Sequence, residues 1–106
     1  MDGKIIRGIN NAAGEIGYML FERNHLTQNW KNKGCFENYC SGSGLKERMS
    51  ALSGQSMNAH EILIAAAQGE TLPAMLLEEM ADYLTIGILN MVTIANLEKV
   101  ILTGGV

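Results

Sequence analysis

At 106 residues the chain is long enough for one domain with a modest core, since a fold of this size removes only roughly 65% of its unfolded surface from water. Hydrophobic residues make up 47% and charged residues 18%, which excludes an unfolded polyelectrolyte but leaves few charges to cover a lone small domain. The net charge is −3, and no Lys/Arg run exceeds two residues, so nothing supplies the basic footprint that direct nucleic-acid binding needs.

Residues 2–8 read as a strand with a turn at Asp2-Gly3, a frequent hairpin signal. A strand at the start needs a mate upstream, so the chain reads as a piece of a longer protein. The same stretch lacks the long apolar run of a signal peptide. Gly8, Gly14 and Gly17 then fall among Asn10, Asn11 and two alanines, a composition for loop or strand with close backbone approach. Residues 18–21 read as a short strand and residues 22–34 as a polar loop.

A helical region opens at residue 35, with Cys35, Phe36, Tyr39 and Cys40 at helical spacing. The Ser-Gly-Ser-Gly tract at 41–44 interrupts it, and the helix resumes through Leu52 with Ser41 or Ser43 as its cap. Asn58 with Glu61 three residues later forms a capping-box start for a helix over 59–68, which Gly69 ends. A third helix takes Thr71 as N-cap and Pro73 in its first turn. Its apolar residues, among them Leu76, Met80, Tyr83, Gly87, Met91 and Ile94, keep the 3.6-residue period. After Tyr83 this helix is apolar nearly all round, which predicts burial on several sides. Its apolar stretch, residues 84–95, is shorter than the ~20 residues needed to span a bilayer and is broken by Thr85, Asn90 and Thr93. Residues 99–103 read as a compact apolar strand closed by Gly104-Gly105. A buried helix leading into a buried strand predicts an α/β fold.

Few residues carry chemistry. Glu15 stands between glycines in Gly14-Glu15-Ile16-Gly17, where backbone and carboxylate can both approach a small polar ligand and accept hydrogen bonds from its hydroxyls. A turn with a solvated glutamate explains the same residues. Glu37 lies among apolar neighbours at a helix start, where an acid facing the helix dipole is the plainer reading. Gly104 and Gly105 allow a nucleotide to lie against backbone, or simply make a strand-to-helix turn. His25 and His60 have no partner at ligand spacing. Cys35 and Cys40, five residues apart, fit neither a zinc ligand pair nor a redox pair, and reduced cytosolic thiols are expected.

These segments occur in one order: DGKIIRG (2–8), NNAAGEIGY (10–18), GCFENYCSG (34–42), AQGE (67–70), then the long helix and VILTGGV (100–106). In that order the chain resembles the ROK family (repressors, open reading frames, kinases) over essentially its whole length. The resemblance implies a single partial domain, residues 1–106, from the C-terminal lobe of an actin-like (ribonuclease H-like) ATPase fold. It implies that Glu15 and Glu37 hydrogen-bond the hydroxyls of a hexose or hexose derivative. Tyr18 stands where many members have a histidine that binds sugar and ligates structural zinc. Gly104 and Gly105 match glycines near bound adenosine. At the family's three zinc cysteines this chain has Gln28, Trp30 and Cys35, so one ligand of four remains and no zinc or other metal is expected.

The family's phosphate-binding DxGGT-like segment and its catalytic aspartate match nothing in residues 1–106, since Asp2 and Asp82 are the only aspartates and neither fits. The expectation is therefore the sugar-binding portion of a cytoplasmic, ATP- and Mg2+-dependent hexose kinase, with no catalytic residue in this chain and no activity alone. Two alternatives remain open: the sugar-sensing lobe of a ROK repressor, and a non-catalytic fragment whose apolar helix, residues 74–96, mediates homo-oligomerisation.

Overall fold

The computed structural model describes residues 2–30 and 34–104. Its elements are a 3-10 turn at Ile16–Tyr18, a second at Arg23–Leu26, and helices α1 (Cys35–Cys40), α2 (Gly42–Ser53), α3 (Ala59–Ala67) and α4 (Thr71–Ala95). No strand occurs among the described residues.

The α/β expectation, and with it the reading as a lobe fragment of an actin-like fold, is thus overturned: the described chain is all helical. Strand character was inferred from apolar runs at residues 2–8, 18–21 and 99–103, but a strand exists only through ladder hydrogen bonds to a neighbour. Here the first and last runs are irregular, with Ile5, Ile101 and Leu102 largely exposed, and the middle one is taken up by the end of the first 3-10 turn and the segment after it.

The helical readings fare better because their signals are local. Ser41 caps α2, its hydroxyl accepting the Gly44 N–H at 3.0 Å. Asn58 and Glu61 form the reciprocal capping box of α3, with Glu61 N–H to Asn58 Oδ1 at 2.8 Å. The end of α3 is a Schellman motif: Glu70 N–H reaches Ala65 C=O, Gly69 N–H reaches Ala66 C=O, and Gly69 takes φ +88°. At α4 the cap position is Glu70 rather than Thr71, and Pro73 lies buried in the first turn.

Helix α4 has 25 residues, about 37 Å of axis, and the other helices pack along it. Leu45 and Met49 of α2, Ile62 of α3 and Leu76 of α4 form the core, with Met57, Leu72, Leu77 and Met80 around it. Farther along, α1 lies against the middle of α4. The buried Phe36 ring sits where Gly87 leaves α4 without a side chain, and a Cβ there would stand 2.5 Å from the ring. The Cys40 thiol points to the Met80 carbonyl at 3.7 Å.

The second half of α4 does not meet its expectation of burial on several sides. Ile86, Leu89 and Ile94 are 42%, 59% and 84% exposed. The all-round apolar pattern calls for cover on more than one side, but α2 and α3 cover only the first half and Phe36 with Met19 covers one side at Gly87. Beyond this lies an open apolar groove of about 380 Å³ between residues 6–19 and the end of α4, lined by Ile6, Ile16, Met19, Met91, Ile94 and Leu97. The radius of gyration, 15.5 Å, exceeds the ~13 Å of a compact chain of this length. No helix among the described residues is long and apolar enough to cross a membrane.

Gly87→Ala separates helix propensity from packing. Propensity alone favours alanine by about 1 kcal/mol, whereas forcing a methyl into the Phe36 ring costs typically ~1–3 kcal/mol. The variant is expected to be less stable by urea denaturation, and a more stable one would place the ring elsewhere.

Candidate functional site

Gly14 adopts φ +89° and turns the backbone into Glu15, which is the N-cap of the first 3-10 turn. The turn is closed by Tyr18 N–H to Glu15 C=O and by Met19 N–H to Ile16 C=O at 3.0 Å. Met19 C=O in turn accepts the Phe36 N–H at 3.2 Å, which joins the turn to the start of α1.

Two glycines make this junction possible. A Cβ on Gly34 would overlap the Gly17 carbonyl and Tyr18 Cα, so backbone meets backbone there. A Cβ on Gly17 would stand 3.2 Å from Glu37 Cβ and 3.6 Å from its carboxylate. The structure thus brings the Glu15–Tyr18 turn against the first turn of α1, which carries Glu37. All three side chains are exposed, Tyr18 by 62%. An exposed carboxylate can accept hydrogen bonds only, which suits it to hydroxyl donors.

Gly104 is not part of this surface's packing. It adopts φ +124°, is exposed, and a Cβ on it would meet nothing within 4 Å. Gly105 lies outside the described residues.

The sequence reading passed over His25, which organises the segment read as a polar loop. His25 is 1% exposed. Its Nδ1 receives Phe21 N–H at 3.1 Å and Glu22 N–H at 3.2 Å, and Cys35 Sγ lies 3.1 Å away. Glu22 and His25 cap the second 3-10 turn reciprocally. Aromatic rings surround the imidazole: Trp30 edge-on at 5.4 Å, Tyr39 at 5.7 Å and Tyr83 at 6.1 Å. Trp30 Nε1–H donates to His25 C=O at 3.0 Å. Tyr83 stacks on Tyr39 at 4.1 Å and donates its hydroxyl hydrogen bond to Glu22 Oε1 at 3.1 Å. Arg48 lies 4.3 Å over Tyr39 and pairs with Glu79. One signal in the sequence pointed here: four of the chain's six Phe, Trp and Tyr residues fall between positions 21 and 39.

Burial sets the ionisation of these groups. It pushes the Cys35 thiol up to about 11, helped by the Glu22 charge, and the Cys40 thiol up to about 11, helped by Cys35. Tyr83 is raised by burial and by its hydrogen bond to the Glu22 carboxylate, which favours the neutral phenol. Tyr39 is raised by burial, against the opposing pull of Arg48. Among the described residues no three His, Cys, Asp or Glu side chains converge as a metal cage. The His25 Nδ1 lone pair is engaged by the Phe21 and Glu22 N–H groups.

The chain is a member of the ROK family, whose profile matches residues 1–106. Among its curated relatives is an uncharacterized protein of Clostridium perfringens, 31% identical, which covers 100% of this chain and 34% of the relative. The N-acetyl-D-glucosamine kinases of Photobacterium profundum and Vibrio cholerae are each 32% identical over 98% of this chain and 38% of their own lengths. The chain thus spans a little over a third of the curated relatives it matches.

The raised thiols give a test. In the folded chain the buried Cys35 should resist iodoacetamide at pH 8 and the half-buried Cys40 should react slowly, both reacting fully once guanidinium unfolds it; alkylation of Cys35 at the rate of a free thiol would contradict its burial. The folded state holds these protons more tightly than the unfolded state. Stability is therefore full below the unfolded thiol value of about 8.5 and falls as pH rises toward 11.

Proposed function

We propose that this chain is the sugar-recognition part of a ROK-family hexose kinase, with N-acetylglucosamine as its leading ligand, acting in the cytoplasm. The observation that supports this best is the Gly17 contact: it lets the Glu15–Tyr18 turn lie against Glu37 and leaves the three side chains open to one small polyol. Glu15 and Glu37 would accept hydrogen bonds from sugar hydroxyls, and Tyr18 would add one that it can donate or accept. The chain alone binds sugar and does not phosphorylate it. ATP and Mg2+ would serve the intact enzyme through groups outside the described residues.

Titration of the 15N-labelled chain with N-acetylglucosamine and with glucose should move the amides of Glu15, Tyr18 and Glu37. Glu37→Gln keeps the shape and removes the charge, so the loss of a charge-assisted bond should weaken binding about tenfold. Unmoved amides, or a Glu37→Gln chain that binds as well as wild type, would refute the assignment.

Self-association is a second reading, favoured by the exposed apolar side chains on the latter half of α4. In this reading a second copy of the chain covers Leu89 and Ile94. Light scattering should then give a dimer that Ile94→Glu converts to a monomer, and a monomeric wild-type chain would dispose of it.

A further inference from the structure

We propose that His25 is a positioning residue for the surface carrying Glu15, Tyr18 and Glu37: a neutral imidazole whose Nδ1 ties the segment leaving the Tyr18 turn to the helix that carries Glu37. This rests on the reading of that surface as a sugar site.

The geometry dictates the tautomer. Backbone N–H groups can only donate, and two of them, from Phe21 and Glu22, point at Nδ1 at 3.1 and 3.2 Å. Nδ1 therefore carries a lone pair and the proton resides on Nε2. Nε2 has no hydrogen-bond partner among the described residues; Glu22 Oε2 lies 3.7 Å away. Cys35 Sγ, at 3.1 Å from Nδ1, is the contact with α1. Phe21 stands two residues after Met19, whose carbonyl binds the Phe36 N–H, and Cys35 stands two residues before Glu37. One buried ring atom thus holds both sides of the junction on which Tyr18 and Glu37 sit. The groups facing the imidazole are the Glu22 carboxylate, the Cys35 thiol and the Tyr39 and Tyr83 phenols. Arg48, the nearby cation, is turned to Tyr39 and Glu79.

Two substitutions separate packing from positioning. His25→Phe keeps a ring among Trp30, Tyr39 and Tyr83 but removes the acceptor. His25→Asn gives up the ring but can place Oδ1 about where Nδ1 stands. In 15N-labelled chains, imidazole shifts report the tautomer, the amides of Tyr18 and Glu37 report the junction, and those of Ile62 and Leu76 report the core. Each chain is then titrated with N-acetylglucosamine. We expect the Nε2–H tautomer in the wild type. His25→Phe should move the Tyr18 and Glu37 amides, leave the core amides in place and weaken binding about tenfold, as expected when buried N–H groups lose their acceptor. His25→Asn should restore most of that affinity.

A folded His25→Phe chain that binds as wild type does overturns the positioning role alone. So does an Nδ1–H tautomer, or a folded His25→Asn chain that binds no better than His25→Phe. If His25→Phe loses its core signals, the His25→Asn affinity decides: near wild-type binding supports the role and lost binding in a folded chain ends it. A wild-type chain that binds no sugar overturns the reading of the surface, and the positioning role with it.

Discussion

A helix of six residues has too few internal hydrogen bonds to repay its own nucleation, yet α1 carries Glu37 and must hold its place. What keeps it there is the Phe36 ring against α4 at the one position, Gly87, where α4 presents no side chain. The contact joins the candidate site to the longest element of the fold. From Phe36 the backbone N–H reaches Met19, and through Met19 the turn bearing Glu15 and Tyr18 is fixed in its turn.

The molecule has two differently built centres. The first, among α2, α3 and the early part of α4, is aliphatic and sulfurous: Leu45, Met49, Ile62 and Leu76 exclude water without directional bonds. The second surrounds His25 and is held by direction. Backbone N–H groups converge on Nδ1, Trp30 donates back to the His25 carbonyl, and Tyr83 reaches Glu22. A polar group buried without partners costs the fold its desolvation, and here the loop's own backbone supplies two donors to His25 Nδ1. Few apolar residues lie between positions 22 and 30, and the segment is held instead by the hydrogen bonds at His25 Nδ1, the His25 carbonyl and Glu22.

Neither centre encloses the candidate site, which is an open surface where a turn meets a helix start. Such a surface gives a ligand direction more than burial, and affinity for a small polyol there would come from charge-assisted hydrogen bonds. The chain matches the ROK family over residues 1–106 and spans 34–38% of the lengths of these relatives. The exposed apolar end of α4 has the same character: a face patterned for burial that the described residues leave uncovered.

The amino-acid sequence alone determined what depends on neighbours a few residues away. Helix ends at Ser41, Asn58 and Gly69 follow from side chains and φ angles within one turn, so their signals could be read and the structure bears them out. Order along the chain was enough to reveal the family, and the resemblance nominated Glu15, Tyr18 and Glu37 as its candidate site. The strands read at residues 2–8, 18–21 and 99–103 failed because apolar composition does not make a ladder; a partner does, and none is present among the described residues. The burial expected for the end of α4 failed for the same reason. Only the tertiary structure could show Gly17 admitting Glu37, Gly87 admitting Phe36, or His25 Nδ1 accepting the Phe21 and Glu22 N–H groups beside Cys35 Sγ. Those contacts bring together groups that lie up to tens of residues apart, and a periodicity or a cap carries no information about which distant surface will come to rest against it.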